Sequence, residues 1–200
     1  MTKRCVNTGT MEEIDISWSP AALAELKALG FYENGRFSRS SLEGINRVEE
    51  RPLIPKRSIT ALEVLNEAYE YPKPSSFSRG MCVDLPGATM LFLSGTASVD
   101  EKGLTAHVGD FNAKCLRTYR NLTQLLAAEK ASWHDVVWTT CYLQDIDRDY
   151  EAFNKVRSMF LTAIGLDPLP ASTGIQARLC RPELLVEIQV IAIVPRAASG

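Results

Sequence analysis

The stretch LLVEIQVI, residues 184–191, holds one carboxylate in a run that is otherwise apolar apart from a single glutamine. Side chains alternate between the two faces of a β-strand, so Val186 and Ile188 share one face and Glu187 lies on the other. A run this apolar predicts a strand inside a sheet, where Glu187 would be partly desolvated. Desolvation raises the pKa of a carboxylic acid and suits it to proton transfer. Two alternatives stay open: a glutamate on the wet face of a half-buried sheet, and a glutamate paired with an arginine.

The chain before this strand alternates between strand-like and helix-like stretches. Four stretches predict strands: SRGMCVDL (78–85), TMLFLSG (89–95), VVWTTCYL (136–143), which is rich in β-branched and aromatic residues, and STGIQARLC (172–180). Pro86-Gly87 predicts a hairpin between the first two of them, and a short extended piece is expected near residues 106–108.

Two amphipathic helices are predicted between these strands, the first capped by Asp110 and the second by Asp147. Their stripes repeat every three or four residues: Phe111, Cys115, Tyr119, Leu122 and Leu126 in the first, and Tyr150, Phe153, Arg157 and Phe160 in the second. We therefore expect an α+β sandwich in which two helices cover one face of a mixed sheet.

Residues 1–73 are predicted to form an N-terminal extension with two short helices, and residues 74–197 the main domain. Ser19-Pro20 supplies an N-cap and a first-turn proline for the first helix. Thr60 and Glu63 have the spacing of a capping box, so a second helix is expected from Thr60 to about Tyr71.

The composition is that of a soluble globular protein: 46% of the residues are hydrophobic, 23% are charged and the net charge is −2. A nearly balanced charge gives no basic surface for nucleic acid. No apolar run approaches the roughly 18 residues that a membrane span needs. The polar segment Met1–Thr10 lacks the apolar core of a signal peptide, so a cytoplasmic protein is expected.

Cysteine and histidine give no indication of a metal site. The five cysteines are widely spread and form no CxxC pair, and the two histidines, His107 and His134, have no close His or Cys neighbour. Structural zinc needs about four ligands, usually clustered in short spacings. Neither a metal nor another cofactor is predicted.

Several residues are candidates for ligand binding, each with a structural alternative. Gly95 at the end of a strand allows close approach of a ligand or of another backbone, or simply marks a turn. Arg79, Arg178 and Arg181 could hold a carboxylate, or be solvated or salt-bridged. Cys180 is either a reactive thiolate beside an arginine or, as we expect, a small buried residue.

Five stretches, in this order, resemble the Rid (YjgF-like) superfamily, whose members often carry the label endoribonuclease L-PSP: FSR (77–79), LSGT (93–96), YEAFN (150–154), PAS (170–172) and LVEIQVIA (185–192). The resemblance implies a chorismate-mutase-like α+β fold and a homotrimer with ligand clefts between subunits. It also implies hydrolysis of reactive enamine and imine intermediates, such as 2-aminoacrylate, to keto acids and ammonia, without a cofactor.

Carried over position by position, the resemblance makes Glu187 the residue that acts as acid/base or positions water. It implies a substrate-binding pocket to which we assign Phe77, Arg79, Ser94, Gly95, Asn154, Ser172, Thr173, Gly174, Arg178 and Cys180.

Three of these positions depart from the family pattern. The family's substrate-gripping arginine falls on Ser172, its pocket cysteine on Gly174 and its N-terminal tyrosine on Phe77. Serine cannot replace the two-pronged guanidinium clamp, and Arg79 or Arg178 could substitute for it from another side.

Two further functions stay open. The stretches FSR (77–79), SGTA (94–97) and VGD (108–110), with Cys180 seven residues before Glu187, are similar to the C-terminal half of chorismatases. That likeness implies a hydrolase or lyase acting on an enolpyruvyl ether. The absent arginine also fits a non-catalytic trimer that binds a small ligand. Ribonuclease activity is disfavoured, because the chain shows no basic stripe for RNA.

Overall fold

The computed structural model describes residues 19–29, 32–33, 36–37, 53–71 and 75–196. The chain divides into two compact units, residues 1–52 and residues 53–200. In the first unit, α1 (Pro20–Ala28) begins at Ser19, whose side chain accepts from the Ala22 amide as predicted. β1 (Tyr32–Glu33) and β2 (Arg36–Phe37) pair antiparallel. The segment Met1–Thr10 lies outside the described residues.

The second unit is built on a six-stranded sheet in the order β3-β4-β5-β8-β6-β7. Its strands are β3 (Lys56–Ser58), β4 (Gly80–Leu85), β5 (Ala88–Ala97), β6 (Val136–Leu143), β7 (Ala171–Gln176) and β8 (Val186–Pro195). All neighbours are antiparallel except β6 and β7, which are parallel. The predicted mixed sheet is thus confirmed, and the stretch that contains Glu187 lies between β5 and β6.

Helices α2 (Phe111–Ala128) and α3 (Ile146–Ala163) pack on one face of this sheet. Asp110 caps α2 by accepting from the Ala113 amide, as predicted. The predicted cap of the second helix was wrong: α3 begins two residues earlier, because Asp145 accepts from the Arg148 amide. The buried core between helices and sheet includes Cys115, Tyr119, Leu122, Leu126, Phe153, Val186, Ile188 and Val190.

The helix expected from Thr60 to Tyr71 does not form. A turn and a short 3₁₀ helix (Ala68–Glu70) stand there instead. Ile59 and Leu65 are both fully buried in the core, and the Asn66 amide donates to the carbonyl of Glu101. Tertiary packing and this long-range hydrogen bond therefore override the local capping signal.

Two predicted strand segments were also wrong. β7 ends at Gln176 rather than Cys180, because its partner β6 ends at Leu143 and leaves nothing further to pair with. Residues 106–108 form no strand, since His107 adopts a left-handed backbone conformation with φ of 55°. Only an isolated bridge between Val99 and Thr105 precedes that position.

Candidate active site

Glu187 lies on the central strand β8, directly opposite Ala97 on β5 and Tyr142 on β6. The backbone around it is therefore paired on both sides, and its side chain points to the face that the helices leave uncovered. Burial of this carboxyl raises its pKa, while the positive charge of Arg79 acts in the opposite direction. Glu187 is thus a partly desolvated acid with a cation in its surroundings; the strand pattern predicts the desolvation, and the arginine is one of the alternatives that the sequence leaves open.

Gly95 provides the space in which the Glu187 side chain lies. The register between β5 and β8 shifts between Leu93 and Thr96, so Gly95 sits in a β-bulge. A Cβ atom built on Gly95 would lie 2.0 Å from Oε1 and 2.7 Å from Cδ of Glu187. The close approach expected at this glycine is made by the glutamate itself, and any side chain here would displace it.

Ser94, the other residue in this bulge, already uses its hydroxyl group within the protein. Its Oγ donates to the carbonyl of Ser78 at 2.7 Å, and its amide donates to the carbonyl of Arg79. These two bonds tie the bulge of β5 to the chain that enters β4. Ser94 therefore fixes the backbone on which Gly95 and Arg79 are held.

Arg79 is not a solvated arginine, because only 4% of it is exposed. Its Nε donates to the carbonyl of Asn66 at 3.1 Å, and its guanidinium carbon lies 4.6 Å from the centre of the Tyr71 ring. The Phe77 ring, 43% exposed, covers it at 5.3 Å. Its Nη2 is buried and has no hydrogen-bond partner in the described part of the chain.

The segment before β4 adds two residues to this group that sequence reasoning missed. Glu67 is 2% exposed, and burial raises the pKa of its carboxyl against the opposing charge of Arg79. Burial likewise raises the pKa of Tyr71. Among the described residues, Glu67 Oε1 and the Tyr71 hydroxyl lack hydrogen-bond partners. No local sequence signal marks Glu67, whereas Tyr71 ends a stretch that was interpreted as helix.

A second group of predicted residues lies on the opposite face of the sheet. Ser172 on β7 stands opposite Thr139 on β6, and its Oγ accepts from Thr139 Oγ1 at 2.9 Å. The same Oγ accepts from Nη1 of Arg157 at 3.2 Å, and Asn154 Oδ1 accepts from Nη2 of Arg157. Within one protomer, the cation beside Ser172 is therefore Arg157 of α3.

The other predicted residues are distributed along and beyond β7. Thr173 pairs with Thr140 and shares the face of Glu187, while Gly174 pairs with Cys141 on the helix-covered face. Arg178 and Cys180 are exposed beyond the end of the strand. The expectation of a buried Cys180 was wrong, because β7 ends before it.

Arg181, the third candidate arginine, lies near the Glu187 group rather than the Ser172 group. Its Nη1 donates to the carbonyl of Gly103 at 2.6 Å, and its guanidinium lies 5.9 Å from the Tyr71 ring. A single protomer therefore holds two separate groups, one around Glu187 and one around Ser172.

The described residues include neither a group of side chains suited to a metal ion nor a helix suited to a membrane. In these ranges no three His, Cys, Asp or Glu side chains are grouped so as to hold a metal ion. Nor is any described helix long and apolar enough to cross a membrane.

The fold and the candidate site define the class of protein. It is an α+β sandwich that carries a partly desolvated glutamate on the central strand of a mixed sheet. Comparison of the sequence with known families makes this specific. The sequence model of the endoribonuclease L-PSP family matches residues 73–194, and the chain belongs to this family, part of the Rid (YjgF-like) superfamily.

Curated relatives agree with this assignment, and a solved structure shares the fold. The 3-aminoacrylate deaminase RutC of Acinetobacter baylyi is 29% identical over 105 residues, 52% of this chain and 79% of the relative. A RutC family protein of Pyrococcus horikoshii is 25% identical over 108 residues, 54% of this chain and 82% of the relative. The crystal structure of YjgF from E. coli is 23% identical with a TM-score of 0.56, covering 70% of this chain and 99% of that one.

Proposed function

We propose that this protein is a deaminase-like hydrolase that converts small enamines or imines into carbonyl compounds and ammonia, with Glu187 as its acid/base. One observation carries the proposal: a carboxyl group with a raised pKa on the central strand, close to the buried cation Arg79. The similarity to 3-aminoacrylate deaminase RutC supports the same substrate class.

The chemistry needs a group that both gives and takes a proton. An enamine is first protonated at its β-carbon, which gives an iminium ion. Water then adds to the iminium carbon while a base removes a proton, and the carbinolamine expels ammonia. Burial favours the protonated form of Glu187 and the charge of Arg79 favours the ionised form, so the two effects oppose each other on the group that we assign to proton transfer.

We infer further that the active form is a homotrimer whose clefts lie between subunits. The sheet face that carries Glu187 also exposes large apolar side chains, with Trp138, Ile175 and Ile193 each about 40% exposed. An apolar face of this kind favours association with further copies of the chain. Light scattering at micromolar concentration should give three times the mass of the chain, and a monomeric mass would contradict this part of the proposal.

The test is a coupled assay in which a dehydratase or an amino-acid oxidase generates the imine in place. Release of the carbonyl product is timed with and without the protein. We expect acceleration with the wild type and with the control Glu63→Gln, which changes an exposed glutamate on a turn. Glu187→Ala and Glu187→Gln should abolish it, typically a loss of 10²–10⁴-fold for an acid/base residue. Unchanged acceleration with both Glu187 variants would refute the proposal.

A second function is favoured by the effect of Arg79, in the FSR stretch, on the Glu187 carboxyl. The charge of Arg79 acts on the Glu187 carboxyl, and the Phe77 ring lies 5.3 Å from the Arg79 guanidinium. Protonation of an enol ether at carbon places the same demand on an acid as protonation of an enamine. An enolpyruvyl ether such as chorismate belongs in the substrate panel, with pyruvate release as the readout. Binding of a panel member without turnover would instead favour the non-catalytic alternative.

A further inference from the structure

Arg79 is a buried cation whose side chain leaves the sheet on the face of Glu187. A Cβ atom on the next residue, Gly80, would meet Ile59 and Leu93 of the core at 2.8 and 3.0 Å. Since successive side chains of a strand alternate, the Arg79 side chain starts on the opposite face, the face that carries Glu187. From this side its charge acts on the Glu187 carboxyl.

The guanidinium of Arg79 is buried without a carboxylate in direct contact. None of the ion pairs among the described residues includes it. Its Nε donates to a neutral acceptor, the Asn66 carbonyl, and its Nη2 has no partner in the described part of the chain. A guanidinium stays protonated at every accessible pH, and a buried charge is costly unless other charges compensate it. Carboxyl groups beyond direct contact are therefore expected to supply the compensation.

Two buried carboxyl groups respond to this one cation. Glu67 is 2% exposed, and its Oε1 is buried without a partner among the described residues. Burial raises the pKa of Glu67 and of Glu187, and the charge of Arg79 opposes the rise in both. One guanidinium compensates one carboxylate. When one of the two carboxyls is ionised, the other is therefore favoured to keep its proton.

The other titratable or charged groups around this set, among the described residues, are Glu70, Tyr71, Asp100, Arg181 and Tyr142. Burial raises the pKa of Tyr71, so its hydroxyl stays neutral. Asp100 and Arg181 act on Tyr71, and Glu70 is exposed. Tyr142, directly opposite Glu187, donates its hydroxyl to Gln189 Oε1 at 3.3 Å. Glu67 is therefore the buried carboxyl that competes with Glu187 for the charge of Arg79.

We propose that Glu67 is a positioning residue of the active site: by competing for the charge of Arg79, its carboxylate keeps Glu187 in the protonated form that donates a proton to substrate. Glu67 touches no reacting atom in this role and acts through the guanidinium. The inference rests on the proposed function for the use of that proton, but the competition itself is a property of the protein without substrate.

The experiment is an infrared titration of the substrate-free protein in deuterium oxide. The C=O stretching band of protonated Glu187 is the band that disappears in Glu187→Gln, and its loss with rising pH gives the midpoint of ionisation. Glu67→Gln removes the competing charge without changing the shape of the side chain. We expect its Glu187 midpoint at lower pH than in the wild type, because Arg79 then favours the ionised form without opposition. The matched control Glu63→Gln changes an exposed glutamate of the same segment and should leave the midpoint unchanged.

A second set of variants tests whether the effect passes through Arg79. Arg79→Met removes the cation and should move the Glu187 midpoint to higher pH, the opposite direction. In that background, Glu67→Gln should lower the midpoint much less than in the wild type. If Arg79→Met fails to fold by circular dichroism, Arg79→Lys keeps a positive charge, and Glu67→Gln should still lower the midpoint there.

Activity gives an independent readout. A general acid must be protonated, so the limb on which kcat/KM for deamination falls with rising pH should move to lower pH in Glu67→Gln, together with the infrared midpoint. An unchanged midpoint in Glu67→Gln, or a shift as large in the Arg79→Met background as in the wild type, would overturn this inference. Midpoints that shift as expected in a wild type without deaminase activity would support it and refute the proposed function instead.

Discussion

Gly95→Ala gives a direct test of how the Glu187 side chain is held. The added Cβ would lie 2.0 Å from Oε1 of Glu187, whereas ordinary contact begins at 3.4 Å, so the carboxyl must retreat by about 1.4 Å. Gly95 does not adopt a left-handed conformation, so no backbone strain adds to this clash. Overpacking of this kind costs about 1–3 kcal/mol, and we expect the lower half of that range because a side chain can swing away.

The effect on activity should exceed the effect on stability. A misplacement of about 1 Å can cost a hundredfold in rate, so the proposed deamination should fall about 10²-fold in Gly95→Ala. The melting temperature should drop by about 2–4 °C per kcal/mol. The matched stability control is Gly174→Ala, whose Cβ would meet Tyr150 Cε2 at an ordinary 3.7 Å. It should be neutral or stabilising by up to about 1 kcal/mol.

A double-mutant cycle in urea decides whether the clash is the cause. Glu187→Ala removes the Cγ, Cδ and Oε1 atoms that lie within 3.1 Å of the added Cβ. The cost of Gly95→Ala should therefore largely vanish in that background, leaving a coupling free energy of about 1–2 kcal/mol. If Gly95→Ala costs the same free energy of unfolding in both backgrounds, the Glu187 carboxyl does not lie across Gly95 and the reasoning fails.

Three further predictions concern charge and exposure. Glu187 has a higher pKa in the folded state than the ordinary 4.5, so the unfolded chain loses this proton first and folding stability falls as the pH rises above that value. Glu187→Gln should accordingly stabilise the protein at pH 7 and have little effect near pH 3, as measured by urea unfolding at both pH values; a gain that is equal at both would contradict this. Cys180→Ser should remove one fast-reacting thiol per native chain in a disulfide-exchange assay, because Cys180 is exposed, whereas Cys115 is buried and its pKa is raised to about 12. An unchanged number of fast-reacting thiols would show that Cys180 is shielded. Arg57→Met breaks the ion pair with Glu129, and because the Arg57 side chain is 57% exposed, the loss should stay below about 1 kcal/mol by chemical denaturation; a larger loss would mean that the pair is effectively buried.

Alternation along a single strand was enough to predict the position of Glu187. Val186 and Ile188 are buried under the helices, and Glu187 lies on the other face, as the spacing in the sequence required. The spacing of α2 was equally informative, because Tyr119 and Leu122 on its stripe are both buried.

Residues brought together by the topology could not be predicted in this way. Ser172 and Arg157 meet only because β7 pairs with β6 in a register that sets Ser172 opposite Thr139. The sequence did carry a signal for Arg157, because this residue interrupts the apolar stripe of its helix. Glu67 carried no such signal, because its burial depends on the loop that receives the Asn66 amide.

Residues 53–71 belong to the folded core, although they precede the stretch that the family sequence model matches. The family match begins at residue 73, but Ile59 and Leu65 fill the core, and Tyr71 stacks on Arg79. A chimera in which only the part of this chain from residue 73 onward is kept would lack these side chains, and cavities would form in the core. Grafts or truncations should therefore be cut before residue 53, so that this segment stays with the core that it fills.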